Sequence, residues 1–131
     1  VKSQLVVMEP YTFFNYLDME KWKNADGSYD VIINVQDIHK DESGEIPAGV
    51  YYTLLDVATG AAVSEAAKGF GVTIDLHVQT FQQTACEKLI CTAYPIQTAE
   101  NSGSGKGSIV DEEGNLLATG MATFKVVGAL E

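Results

Sequence analysis

The sequence predicts an α+β fold, with an antiparallel sheet of about six strands wrapped around one long helix. Two observations carry this. From Ala48 to Ala67 the chain runs without a turn signal and with apolar residues at helical spacing. Elsewhere the apolar segments are short, in the order helix, two strands, long helix, four strands, without the βαβ alternation that a parallel sheet requires.

The elements follow in chain order. From Pro10 to Met19, Tyr11, Phe14 and Leu17 fall on one face of a short helix. The turn Asn24–Ala25–Asp26–Gly27 then joins Lys21–Trp22–Lys23 to the alternating run Tyr29, Val31, Ile33, Val35, which reads as a hairpin. Its faint likeness to a calcium loop fails, because the bidentate Glu and the spacing are missing. His39 to Glu45 is a polar loop. Pro47 suits the first position of a helix, where its missing N–H costs nothing, and Lys68–Gly69 mark the stop. Val50, Leu54, Val57, Ala58 and Ala61 form the apolar face. Gly49, Ala58, Gly60, Ala61 and Ala62 keep the helix thin enough for close approach by a sheet or by a second copy. Four strands are expected after it: Phe70 to Gln79, Cys86 to Thr98, Gly105 to Val110 and Leu116 to Val127. Glu112–Glu113–Gly114–Asn115 turns the last pair. Ser102 to Ser108 is not a phosphate loop, since Gly107 rather than Ser or Thr follows Lys106 and no Gly stands at the required upstream position. It reads as a flexible strand entry.

At 131 residues the chain has the length of one domain, 1–131. Eighteen acidic side chains oppose eight lysines, with no arginine and a net charge of −10. That charge repels phosphate backbones and anionic membranes, so no nucleic-acid or membrane partner is expected. No apolar run approaches the roughly 20 residues of a membrane span. Val1 to Pro10 lacks the pattern of a secretory signal, and a cytoplasmic location is expected. Cys86 and Cys91 read as one strand, roughly 16 Å apart on opposite faces, too far for a disulfide. No metal site is expected.

One residue of the long helix stands out. Asp56 lies among Leu54, Leu55, Val57 and Ala58, with no lysine three or four residues away to pair with it. A carboxylate in such a setting is costly unless solvated or partnered. Composition leaves two readings open: a solvated position on a polar stripe with Thr53, Thr59 and Glu65, or a functional group.

The run His39–Lys40–Asp41–Glu42–Ser43–Gly44–Glu45–Ile46–Pro47–Ala48–Gly49, followed by Tyr52–Thr53–Leu54–Leu55–Asp56, resembles the hot-dog acyl-CoA thioesterases of the phenylacetate-degradation type. Gly71 to Leu76 resembles the strand that follows in that family, and Asp111 to Ala118 its Asp-x-x-Gly-x-x-x-Ala hairpin. The likeness covers roughly residues 30 to 128, and it rests on the order and spacing of several motifs together. It implies hydrolysis of an acyl-CoA or aryl-CoA thioester by a homodimer or a dimer of dimers, with no separate cofactor. The Ala48 N–H would polarise the carbonyl at the positive end of the helix. Asp56 would act as general base or nucleophile, and Thr73 would help hold the water. His39, Pro47 and Gly49 fall at substrate-contacting positions, and Lys106, with Lys88 second, at the seat of the CoA phosphates. Tyr51, Tyr52, Phe70, Phe81 and Tyr94 are acyl-pocket candidates that core packing or an interface explains as well.

Three positions depart from the family pattern. Pro47 replaces a histidine, Ala48 the first glycine, and Asp41 an Asn or Gln. A carboxylate only accepts where an amide donates, so Asp41→Asn is expected to restore a donor and to raise activity or CoA affinity. The alternative expectation is a hot-dog protein that binds acyl-CoA or another small ligand and has lost turnover.

Overall fold

The computed structural model describes residues 4–6, 12–82 and 85–128. The elements are β1 (Gln4–Val6), α1 (Thr12–Leu17), β2 (Met19–Lys23), β3 (Tyr29–Asn34), α2 (Ala48–Ala67), β4 (Phe70–Thr80), β5 (Lys88–Thr98), β6 (Ser102–Asp111) and β7 (Leu116–Val127), with a 3₁₀ turn at Asp37–His39 before α2. Pro10 and Tyr11, expected in the first helix, lie outside the described residues. The strands form one antiparallel sheet in the order β1-β2-β3-β5-β6-β7-β4. Among the described residues it has seven strands where six were expected. The addition is β1, whose three residues pair with β2 and are too few to show a period of two.

Helix α2 has the expected bounds. Pro47 is its N-cap, one position earlier than expected, with φ −67° and ψ 152°. Lys68 closes the helix in the left-handed region at φ 55°, and the Gly69 N–H returns to the Ser64 carbonyl at 3.2 Å. The face against the sheet is Val50, Tyr51, Leu54, Leu55, Ala58, Thr59, Ala62 and Val63. Val57 and Ala61, expected on it, are only half-buried at its margin. Fully buried Leu54, Leu55, Leu89 and Leu117 anchor the core, each contributing about 2 kcal/mol by burial.

The glycines of β6 explain how close the helix comes. A Cβ on Gly103 would stand 2.6 Å from Val63 Cγ1, and one on Gly107 would stand 3.1 Å from Leu55 Cδ2. The stretch expected to be a flexible strand entry is therefore ordered strand, its glycine face pressed on α2. Its alternate residues Ser104, Lys106 and Ser108 face outward. At the far end of α2, Lys23 Nζ donates to Glu65 Oε1 at 2.5 Å and Lys68 Nζ at 3.0 Å. These contacts hold the Glu65 carboxyl below its usual range and tie α2 to the end of β2.

Cys91 is buried on β5, whereas Cys86 precedes that strand, and both are free. Burial pushes both thiols above their ordinary range.

Candidate active site

Asp56 lies half-buried in the middle of α2, on the side the sheet leaves open. Thr73 Oγ1 donates to Asp56 Oδ1 at 2.7 Å. Thr73 shares a face of the sheet with the buried Phe124, its register partner on β7, so its hydroxyl points to the helix. Immediately afterwards the register slips between Thr73 and Asp75. Ile74 is the extra residue of that bulge, a device that re-aims strand side chains. Nearby, the Gly71 N–H donates to Ser64 Oγ at 3.1 Å, a second tie of β4 to the helix. Asp56 stood out from its apolar neighbours and Thr73 came from the family resemblance, and the fold places the two in contact.

The start of α2 is a donor site. Val50 N–H donates to the Pro47 carbonyl at 3.0 Å, but neither the Ala48 nor the Gly49 N–H meets an acceptor among the described residues. Two free amides at the positive end of a long helix suit an oxyanion or a polarised carbonyl. Pro47 and Gly49 are exposed and Ala48 half-exposed beside them. Tyr52, 45% exposed, stands one turn from Ala48 and one turn from Asp56.

The other candidates sit elsewhere. Asp41 Oδ1 accepts from Ser43 N–H at 2.9 Å, Ser43 Oγ at 2.6 Å and Glu45 N–H at 3.1 Å. Its carboxyl is held below the usual range, chiefly by the Ser43 hydroxyl. It closes the loop that leads into α2, and its interactions lie within that loop. Asp26 and Asp111 cap their own turns in the same way. The signal was present in the sequence, as an Asp at the head of a short Ser- or Gly-containing turn.

His39 is fully buried. Its Nδ1 accepts the Gln36 N–H at 3.0 Å, which leaves the proton on Nε2 for the Leu17 carbonyl at 2.6 Å. Both nitrogens are engaged in pinning the end of α1 to the turn before α2. His39, expected at a substrate-contacting position, therefore has both ring nitrogens bonded within the chain.

Lys106 projects from the outer face of the sheet, with Tyr94 and Met121 as register partners. That face is opposite to the one carrying Thr73, so Lys106 is not part of the Asp56 neighbourhood within one chain. Of the five aromatic candidates only Tyr51 is buried, while Tyr52, Phe70, Phe81 and Tyr94 are exposed. Among the described residues no cluster of His, Cys, Asp or Glu is arranged to hold a metal ion, and no helix is long and apolar enough to cross a membrane.

A sheet wrapped around one central helix in this strand order is the hot-dog fold, and solved structures bear this out. A thioesterase of Haemophilus influenzae matches with TM-score 0.84 at 19% identity, over 93% of this chain and 87% of its own. A hypothetical thioesterase of Streptococcus pneumoniae, solved with coenzyme A, matches with TM-score 0.81 at 19% identity, over 90% and 93%. A Bacillus halodurans protein solved with CoA matches with TM-score 0.80 at 19% identity, over 92% and 83%. No family model and no curated protein matches the chain. At these identities the likeness establishes the fold, and function rests on the site.

Proposed function

We propose that this protein hydrolyses an acyl-CoA or aryl-CoA thioester at a site built from two copies of the chain. The observation that carries the reading is the Thr73–Asp56 hydrogen bond on the open side of α2. It holds a carboxylate in place to activate water or to attack a carbonyl, while the free Ala48 and Gly49 amides supply the oxyanion donors. Coenzyme A in two similar folds supports CoA as the carrier of the acyl group. The motif order from His39 to Ala118 supports the phenylacetate-degradation type within the superfamily.

Two chains are needed because Ala48 and Asp56 lie eight residues apart on one helix, roughly 12 Å along its axis. One carbonyl does not span that gap. Thr73 also lies on β4, which ends the sheet and, among the described residues, pairs only with β7. A long edge strand with exposed Phe70, Val72 and Ile74, and Asp75 as its one carboxylate, favours pairing with another chain. A second β4 laid against it brings the partner subunit's helix start toward this Asp56.

Release of free thiol from short, long and aromatic acyl-CoAs tests the proposal. Turnover that disappears in Asp56→Asn, with CoA still bound, supports it. CoA binding by the unaltered protein with no thiol release from any of them supports the non-catalytic binder instead.

A further inference from the structure

The outer face of the sheet, turned away from α2, carries a depression of about 710 Å³ across β4, β7, β6 and β5, within the size range of small-molecule sites. Its lining falls into two cross-strand rows. Register places His77, Met121, Lys106 and Tyr94 side by side in one, and Gln79, Thr119, Ser108 and Thr92 in the next. Each row is three strand spacings long, about 14 Å, and the rows lie about 7 Å apart. The first row therefore holds a cation between a thioether and a phenol, and the second holds hydroxyls and an amide.

The charge of this depression is the reverse of the chain's. The protein has eighteen carboxylates to eight lysines, yet no carboxylate lines the depression. Lys106 makes no ion pair among the described residues, where the two that form belong to Lys23 and Lys68. Asp30, the register neighbour of Thr92, accepts a hydrogen bond from that hydroxyl at 2.7 Å and lies beyond the lining. An unpaired ammonium flanked by Tyr94 and Met121, with Ser108 and Thr119 hydroxyls one row away, is suited to an anion with an apolar tail.

We infer that this outer depression is a binding site for a small monocarboxylate with an aromatic or medium-chain tail. The carboxylate rests on Lys106 and the neighbouring hydroxyls, and the tail lies along Tyr94 or Met121. The site is separate from the Asp56 side of the sheet, so the inference does not depend on the thioesterase reading.

The test is a titration of the ¹⁵N-labelled protein with 3-phenylpropionate, and in parallel with its neutral amide. The site predicts saturable shifts at His77, Tyr94, Lys106 and Met121, equally in the Asp56→Asn chain, with little response to the amide. Lys106→Met weakens binding about tenfold or more, whereas Lys106→Arg keeps it. Shifts clustered instead at Asp56 and Thr73 overturn the inference. So does unchanged affinity in Lys106→Met, or the absence of saturable shifts. Movement of the same signals on dilution without ligand also overturns it, because a second copy would then cover the face.

Discussion

Thr73 Oγ1 lies 2.7 Å from Asp56 Oδ1, so the free edge strand and the central helix share one hydrogen bond at the candidate site. If this bond orients the carboxylate for catalysis, Thr73→Val lowers kcat about tenfold with little change in KM. Thr73→Ser keeps most of the rate. Asp56→Asn lowers kcat about a thousandfold without shifting the melting temperature. Steady-state thiol release with a thermal melt of each variant checks all three.

Asp41 gives a prediction that separates the two views of that residue. All three contacts from Ser43 and Glu45 converge on one oxygen, Oδ1, and an amide oxygen accepts from the same donors. Asp41→Asn therefore leaves melting and CoA affinity near those of the parent, while Asp41→Ala loosens the loop before α2 and weakens both. A rise in activity or CoA affinity in Asp41→Asn would support the reading that the family resemblance implies, in which position 41 faces the substrate.

Tyr51 is fully buried and its hydroxyl has no hydrogen-bond partner among the described residues. Burial, with smaller contributions from Cys86 and Asp111, pushes it up to about 12. The folded state thus holds this proton more tightly than the unfolded chain. Its contribution is fully present below pH 10 and is lost as pH rises toward 12. Tyr51→Phe removes an unsatisfied polar atom, so stability at neutral pH rises by up to about 1 kcal/mol. Denaturant melts between pH 10 and 12 also become flatter, with the half-buried Cys86 thiol and the buried Cys91 thiol left to titrate.

The exposed edge carries its own test. Ile74 is 61% exposed at the bulge of β4. Ile74→Lys puts like charges near each other if two copies of this strand pair. Sedimentation then shows a shift toward monomer, and thiol release falls in proportion. A protein already monomeric before substitution would sever activity from pairing.

Much of this architecture is legible in the sequence. Helix α2 was bounded by Pro47 and Lys68–Gly69, because helix ends depend on local backbone chemistry. Strand β7 was bounded by its hairpin turn for the same reason. Asp56 stood out because a lone carboxylate among leucines is costly wherever it lies. What was hidden depends on register or on contacts distant in sequence. The outward face of Lys106 follows from glycines 103, 105 and 107 pressing on α2, a fact of packing. The burial of His39 requires α1 to lie over the turn before α2, and nothing in either segment alone announces that. Strand β1 exists only because β2 is there to pair with it.

The central claim is that one site draws on two chains, and a subunit-mixing experiment tests it most directly. Ala48 is the first residue of α2, and Pro47 before it is already extended. Ala48→Pro therefore removes the N–H with little disturbance to the helix. Asp56→Asn removes the base. Each homodimer should be inactive. Equal mixing with free exchange should make half the dimers hybrid, each with one complete site, and so return about a quarter of the parent activity. Hybrid dimers that demonstrably form and yet release no thiol above either parent would contradict the two-chain site.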